Sequence, residues 1–147
     1  MTLTETQAKK KLRTLAGAIV QYDAETASTL AVQLLVLGID PKRIINDGLS
    51  KGMKKVADKF QKLEVFLPHV IWAAETMQSA VTEIIKRLPK DQRDELISGK
   101  VVLGTVKGDI HDVGKNIFKT LLLAGGFEVY DLGLTYPAIF SFLEQRK

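Results

Sequence analysis

Up to about residue 88 the apolar positions recur with the period of an α-helix. Leu12, Leu15, Ile19 and Val20 begin the series, and Ala27, Leu30, Ala31, Leu34 and Leu35 share the next face. Ile45, Leu49, Met53, Val56 and Phe60 form a third stripe, and Val70, Ala74, Met77, Val81, Ile84 and Leu88 a fourth. Short connections at Asp23, at Gly38 to Pro41 and at Leu63 to Pro68 separate them, so the pattern predicts a four-helix bundle. Asp40 before Pro41 reads as a helix N-cap followed by proline in the first turn. Pro68, after the extended Val65-Phe66-Leu67, starts the last long helix in the same way, and Pro89 ends it.

Beyond residue 88 the pattern changes. LPKDQRDELISGK is charged and reads as a linker. Lys100 to Val106 is a short apolar run rich in β-branched residues, which predicts a strand buried on both faces. A helix from about Asp112 to Ala124 stops at Gly125-Gly126, a second strand covers FEVYDLG, and PAIFSFLEQR is again helix-like. Strand, helix and strand within some thirty residues form a βαβ unit. The expected organisation is a helical bundle over 1–90, a linker over 91–99 and an α/β region over 100–147.

Composition narrows the function classes. The chain of 147 residues is 46% hydrophobic and 26% charged, which is globular composition. It has no cysteine, so disulfides, thiolate metal sites and a cysteine nucleophile are excluded. The start, MTLTETQAKKKLR, has no apolar signal segment, and no run approaches the ~18 apolar residues of a membrane span. A cytoplasmic protein is expected. The net charge of +4 comes from lysines dispersed among acids, which predicts solvated helix faces and no nucleic-acid partner.

The chemistry concentrates at KGDIHDVGKNI, where one of the two histidines sits between glycines after the first strand. Ligands of open α/β sheets collect at the carboxyl ends of strands, and a helix N-terminus follows this loop. A phosphate loop fits poorly. Five residues separate Gly108 and Gly114 where four are required, Asn116 stands where Ser or Thr would hold magnesium, and two acids would face the phosphates. A metal hydrolase on His111 and Asp112 would need further ligands, and the other histidine, His69, lies in the bundle. A bland alternative has a loop aspartate capping the next helix beside an exposed histidine. A further one pairs Asp109 with His111, a carboxylate orienting a metal-ligating imidazole.

Gly108-Asp109-Ile110-His111-Asp112-Val113-Gly114 resembles the DxHxxG signature of the B12-binding domain found in cobalamin-dependent methionine synthase and in the corrinoid proteins of methanol and methylamine methyltransfer systems. A second stretch, MKKVADKFQKLEVFLPHVIWAAETM, resembles the helical cap that precedes that domain, with Met53, Val56, Phe60, Phe66, Leu67, Pro68, Val70, Ala74 and Met77 filling the pattern. The resemblance implies a four-helix cap followed by a partial flavodoxin-like (Rossmann-like) B12-binding domain. It further implies that Phe60 and Leu67 lie against the upper face of the corrin, that His111 is the lower axial cobalt ligand and that Asp109 orients it. Asp112 and Gly114 would complete the cofactor-binding loop, with Gly114 letting the cofactor tail pass close to the helix.

The implied function is that of a non-catalytic methyl carrier. A cobalamin or related corrinoid would hold the methyl group on cobalt, and the chain would dock in turn with a substrate-specific methyltransferase and a second, methyl-accepting one. The family's sheet has five strands, whereas the residues after Gly114 supply one strand and one helix, so the resemblance describes a C-terminally truncated member. An unpaired first-strand edge is an aggregation hazard, which predicts a homodimer through VVLGTV. The alternative function is a cobalamin-sensing or protein-interaction module with weak or no cofactor binding.

Overall fold

The structure, a computed structural model, describes residues 4–105 and 113–133. The chain forms two compact units, Met1–Leu96 and Ile97–Lys147.

In the first unit α1 (Glu5–Val20) starts at a capping box: Gln7 N–H donates to Thr4 Oγ1 at 3.4 Å and Thr4 N–H donates to Gln7 Oε1 at 3.0 Å. Asp23 caps α2 (Ala24–Val36) by accepting from Thr26 N–H at 2.9 Å. Asp40 caps α3 (Pro41–Arg43) by accepting from Lys42 N–H at 3.0 Å, as the Asp-Pro pair predicts. The helix then widens into a π segment, Ile44–Leu49, before returning to α form in α4 (Ser50–Gln61). The fifth helix, α5 (Leu67–Lys86), has Pro68 in its first turn.

These helices pack α1 against α2 and α4, and α5 against α2 and α4. Leu15, Ile19, Leu34, Ile44, Leu49, Val56 and Ile84 are among the core side chains, nearly or wholly removed from water. Two glycines set the closest approach. A Cβ on Gly48 would lie 2.6 Å from Leu15 Cδ2, and one on Gly52 would lie 2.6 Å from the Ala16 carbonyl oxygen and 2.7 Å from Ile19 Cβ. The helix therefore presents bare backbone to α1 at both positions.

The third stripe departs from its periodic reading in two places. The π segment inserts an extra residue into the turn, so Ile44 occupies the core position expected of Ile45. Phe60, at the far end of the stripe, is exposed. The segment expected as a linker is partly ordered as well. Residues Lys90–Asp94 form a short helix, α6, in which Arg93 Nε donates to the Leu88 carbonyl at 2.6 Å, and the two units divide between Leu96 and Ile97.

In the second unit β1 (Gly99–Leu103) and β2 (Phe127–Asp131) run parallel, with Gly99 opposite Phe127 and Leu103 opposite Asp131. The connecting helix is α7 (Val113–Ala124), and it closes at Gly125 and Gly126, where Gly126 takes φ +81°. Burial alternates along β1, with Lys100 and Val102 exposed, so this strand is not covered on both faces as its apolar run predicts. The physical reason is that, among the described residues of this unit, α7 is the one helix that can cover the sheet. The end of the predicted first strand at Val106, the helix start at Asp112 and the last helix-like piece lie outside the described residues.

Candidate functional site

Asp109, His111 and Asp112 lie outside the described residues. The two ends of the backbone that flank them are described. Thr105, two residues beyond β1, is 7% exposed, and its backbone N–H donates to the Gly133 carbonyl at 3.2 Å. Its hydroxyl is buried and has no hydrogen-bond partner among the described residues. A buried hydroxyl in that condition costs on the order of 1–3 kcal/mol, which a polar ligand atom can recover. Gly114 is the second residue of α7. It is exposed, and a Cβ built there would meet nothing within 4 Å. Unlike Gly52, it leaves open space beside the backbone, and the first turn of a helix offers unpaired N–H groups there.

A carboxylate clamp joins α7 to the end of β2. Asp131 accepts from Lys115 Nζ at 2.6 Å, from Lys119 Nζ at 3.1 Å and from Gly133 N–H at 2.9 Å. The Lys115 ammonium, then the Gly133 N–H and Lys119, hold the Asp131 carboxyl well below the usual carboxylate range. Sequence reading missed this clamp. Its signal was present in two lysines four residues apart on one helix face and an acid at the end of the following strand.

In the helical unit, Phe60 is 41% and Leu67 is 42% exposed, and between them Leu63 is 79% and Phe66 is 65% exposed. The α4–α5 connection thus turns four large apolar side chains toward solvent. Leu63 takes φ +60°, in the left-handed region, and Glu64 N–H closes the turn on the Lys59 carbonyl at 2.9 Å. Phe66 is extended at the N-cap of α5, and its N–H donates to His69 Nδ1 at 3.1 Å. The His69 ring lies 5.3 Å from the Trp72 ring and 5.8 Å from that of Tyr22, which also takes φ +60°. Sequence reading assigned His69 to the bundle and singled out neither Tyr22 nor Trp72, because no periodic rule joins a turn residue to a helix fifty positions away.

Among the described residues no group of three or more His, Cys, Asp or Glu side chains could hold a metal ion. No described helix is long and apolar enough to cross a membrane.

Residues 11–85, within the helical unit, match the family model described as B12 binding domain. The trimethylamine corrinoid protein of Methanosarcina barkeri is 42% identical over 130 residues, covering 88% of this chain and 59% of that protein. The dimethylamine corrinoid protein 1 of Methanosarcina acetivorans is 39% identical over 136 residues, covering 92% of this chain and 62% of the relative. Among solved structures, a cobalamin-binding protein from Desulfitobacterium hafniense superposes with a TM-score of 0.67 at 31% identity, over 92% of this chain and 64% of that one. The methanol:cobalamin methyltransferase complex of Methanosarcina barkeri contains a chain with a TM-score of 0.74 at 27% identity, over 99% of this chain and 58% of that one.

The chain belongs to the B12 binding domain family. Its cofactor class is therefore the cobalamin-type corrinoid. The chain spans about 60% of the length of the curated relatives it matches. In the α/β unit the open space at Gly114 and the buried Thr105 hydroxyl, without a partner among the described residues, suit such a group; in the helical unit Phe60 and Leu67 display apolar side chains suited to it.

Proposed function

We propose that the protein is a corrinoid methyl carrier of the kind represented by its methylamine relatives. The observation that carries this reading is the exposure of Phe60 and Leu67, the two residues that the cap pattern assigns to the cofactor. A helical unit with a closed core gains nothing by displaying a run of large apolar side chains at one connection. A flat apolar ligand face accounts for it. When bound, the corrinoid supplies a cobalt centre able to take up and give back a methyl group.

The chain's own residues bind, orient and shield. His111 would hold the cobalt, and Asp109 would orient the imidazole and raise its basicity. Asp112 and Gly114 complete the loop, and the four long helical segments of the first unit act as the cap. The second unit is proposed to be part of a flavodoxin-like sheet, with domain limits near 90 and 100. In this reading the protein is a carrier subunit rather than an enzyme, cytoplasmic, and docks with a substrate-specific methyltransferase and a second that accepts the methyl group. Among the described residues β1 pairs on one side only, with β2, which supports a homodimer through the other edge.

Hydroxocobalamin added to the purified protein and followed through gel filtration tests the function. The expected result is co-elution of protein and corrin absorption. Replacing His111 by alanine should weaken binding and alter the corrin spectrum, and replacing Asp109 by asparagine should do less, within roughly 10 to 100-fold. A spectrum unchanged in the His111 variant would remove the ligand assignment. Wild-type protein that elutes colourless would instead favour a sensing or protein-interaction module.

A further inference from the structure

The α4–α5 connection carries a feature that display of apolar side chains does not require. Among the described residues, the two non-glycine residues with positive φ are Tyr22 and Leu63. Leu63 shapes the connection itself, and Tyr22 packs its ring against His69 and, at 6.0 Å, against Trp72. Non-glycine residues in the left-handed region are strained and persist where the surroundings over-determine them. Both strained positions converge on the segment that starts α5.

What joins them is His69. Its ring meets Tyr22 on one side, lies 6.3 Å from the Phe66 ring on another and makes an edge contact with Trp72. At the same time Nδ1 accepts the Phe66 N–H, so the ring proton resides on Nε2. Position 69 is the third residue of α5, the place from which a side chain reaches back to the N-cap N–H in a capping box. The chain uses the same device at α1, where Gln7 accepts from Thr4 N–H at 3.0 Å. Gln7 does so alone, whereas the acceptor at position 69 is an aromatic ring wedged among other rings.

We infer that His69 is a positioning residue for the corrin-facing surface: its Nδ1 holds the Phe66 backbone, and its ring, braced by Tyr22 and Trp72, fixes the direction in which Phe66 and Leu67 are presented. This rests on the corrinoid reading for its purpose, but the hydrogen bond and its consequences exist without cofactor. Loss of the acceptor frees the Phe66 N–H and lets the extended Phe66 N-cap reorient, while the core residues Ala73, Ala74 and Met77 on the same helix stay buried.

Three variants separate the acceptor from the ring. His69→Gln keeps an acceptor at that helix position and loses the ring. His69→Phe keeps a ring and loses the acceptor, and His69→Ala loses both. In cofactor-free full-length protein, amide exchange at Phe66 should rise about fivefold in the Phe and Ala variants, the scale of one lost cap, and stay near wild type in the Gln variant. The fluorescence of Trp72, the chain's sole tryptophan, confirms that the cluster is still folded in each variant. With hydroxocobalamin bound, the rate at which added cyanide takes the upper axial position should follow the same order. Slow Phe66 exchange in His69→Phe, with fast exchange in His69→Gln, would overturn the inference and leave His69 as ring packing. A wild-type protein that binds no corrinoid would defeat the functional reading, while the exchange data would still decide what His69 holds.

Discussion

The two units bury their apolar residues to different degrees. In the helical unit Leu15, Ile19, Leu34, Ile44, Leu49 and Ile84 are wholly removed from water, whereas every described residue of β1, α7 and β2 with an assigned burial is at least partly exposed. Val102, Phe118 and Tyr130 stand out to solvent. Helices satisfy their own backbone and need only one apolar stripe covered. A parallel sheet must be covered on both faces and paired at both edges before it closes a core. The helical unit therefore holds most of the stability, and the α/β unit holds the loop proposed to carry the ligand chemistry.

The largest expected effect breaks or sustains that contrast directly. Replacing Ile84 by alanine removes a fully buried side chain from α5 and should cost about 2–5 kcal/mol in chemical denaturation followed by helical circular dichroism. Replacing the half-buried Leu103 of β1 should cost less than half as much, because solvent already reaches part of its surface. Equal losses would show that Leu103 is packed as closely as Ile84.

The same contrast explains how much could be read from sequence. Three stripes of the helical unit were legible because a buried face repeats with the helix period. The remaining one, the third stripe, was misphased at Ile44 and Ile45, since a π segment changes the period, and Gly48 and Gly52 leave room there for the Leu15 side chain and the backbone of α1. The βαβ order was legible from β-branched residues and glycines, but burial of β1 was not, because an apolar run reports what a strand needs and not what lies over it. Motif resemblance picked out Phe60 and Leu67, and exposure separates Phe60 from the buried residues of its stripe. His69 escaped because its role is a hydrogen bond to a backbone N–H, which leaves no periodic trace.

A smaller effect probes how the α/β unit compensates for its open packing. Asp131 ties α7 to the end of β2 with the charge of Lys115 first, then the Gly133 N–H and Lys119. Its folded-state pKa lies below the unfolded value of about 4, so the clamp contributes stability above that pH and loses it as pH falls further. Asp131→Asn keeps the shape and removes the charge. The expected cost near neutral pH is about 1–2 kcal/mol, discounted because the pair is still partly hydrated. Exchange of the Val129 and Tyr130 amides, corrected for intrinsic rates, should quicken below about pH 4 in the wild type and depend less on pH in the variant. An identical acid response in both proteins would show that the clamp has no share in stability.

The smallest effect on stability falls at Gly114, and it sharpens the comparison because it sets a loop glycine against a core glycine. A side chain at Gly52 would collide with the backbone of α1, whereas a methyl group at Gly114 meets no atom of the described residues within 4 Å. Gly114 is not in the left-handed region and sits inside the first turn of α7, where alanine is a better helix former than glycine by up to about 1 kcal/mol. Gly114→Ala should therefore leave the unfolding transition in place or raise it slightly. If the open space at Gly114 receives part of a corrinoid, the same methyl group obstructs it, and hydroxocobalamin should bind more weakly to a protein that is no less stable. Weaker binding at unchanged stability is an outcome that packing within the chain does not explain. Unchanged binding would mean that the space beside Gly114 is merely solvent.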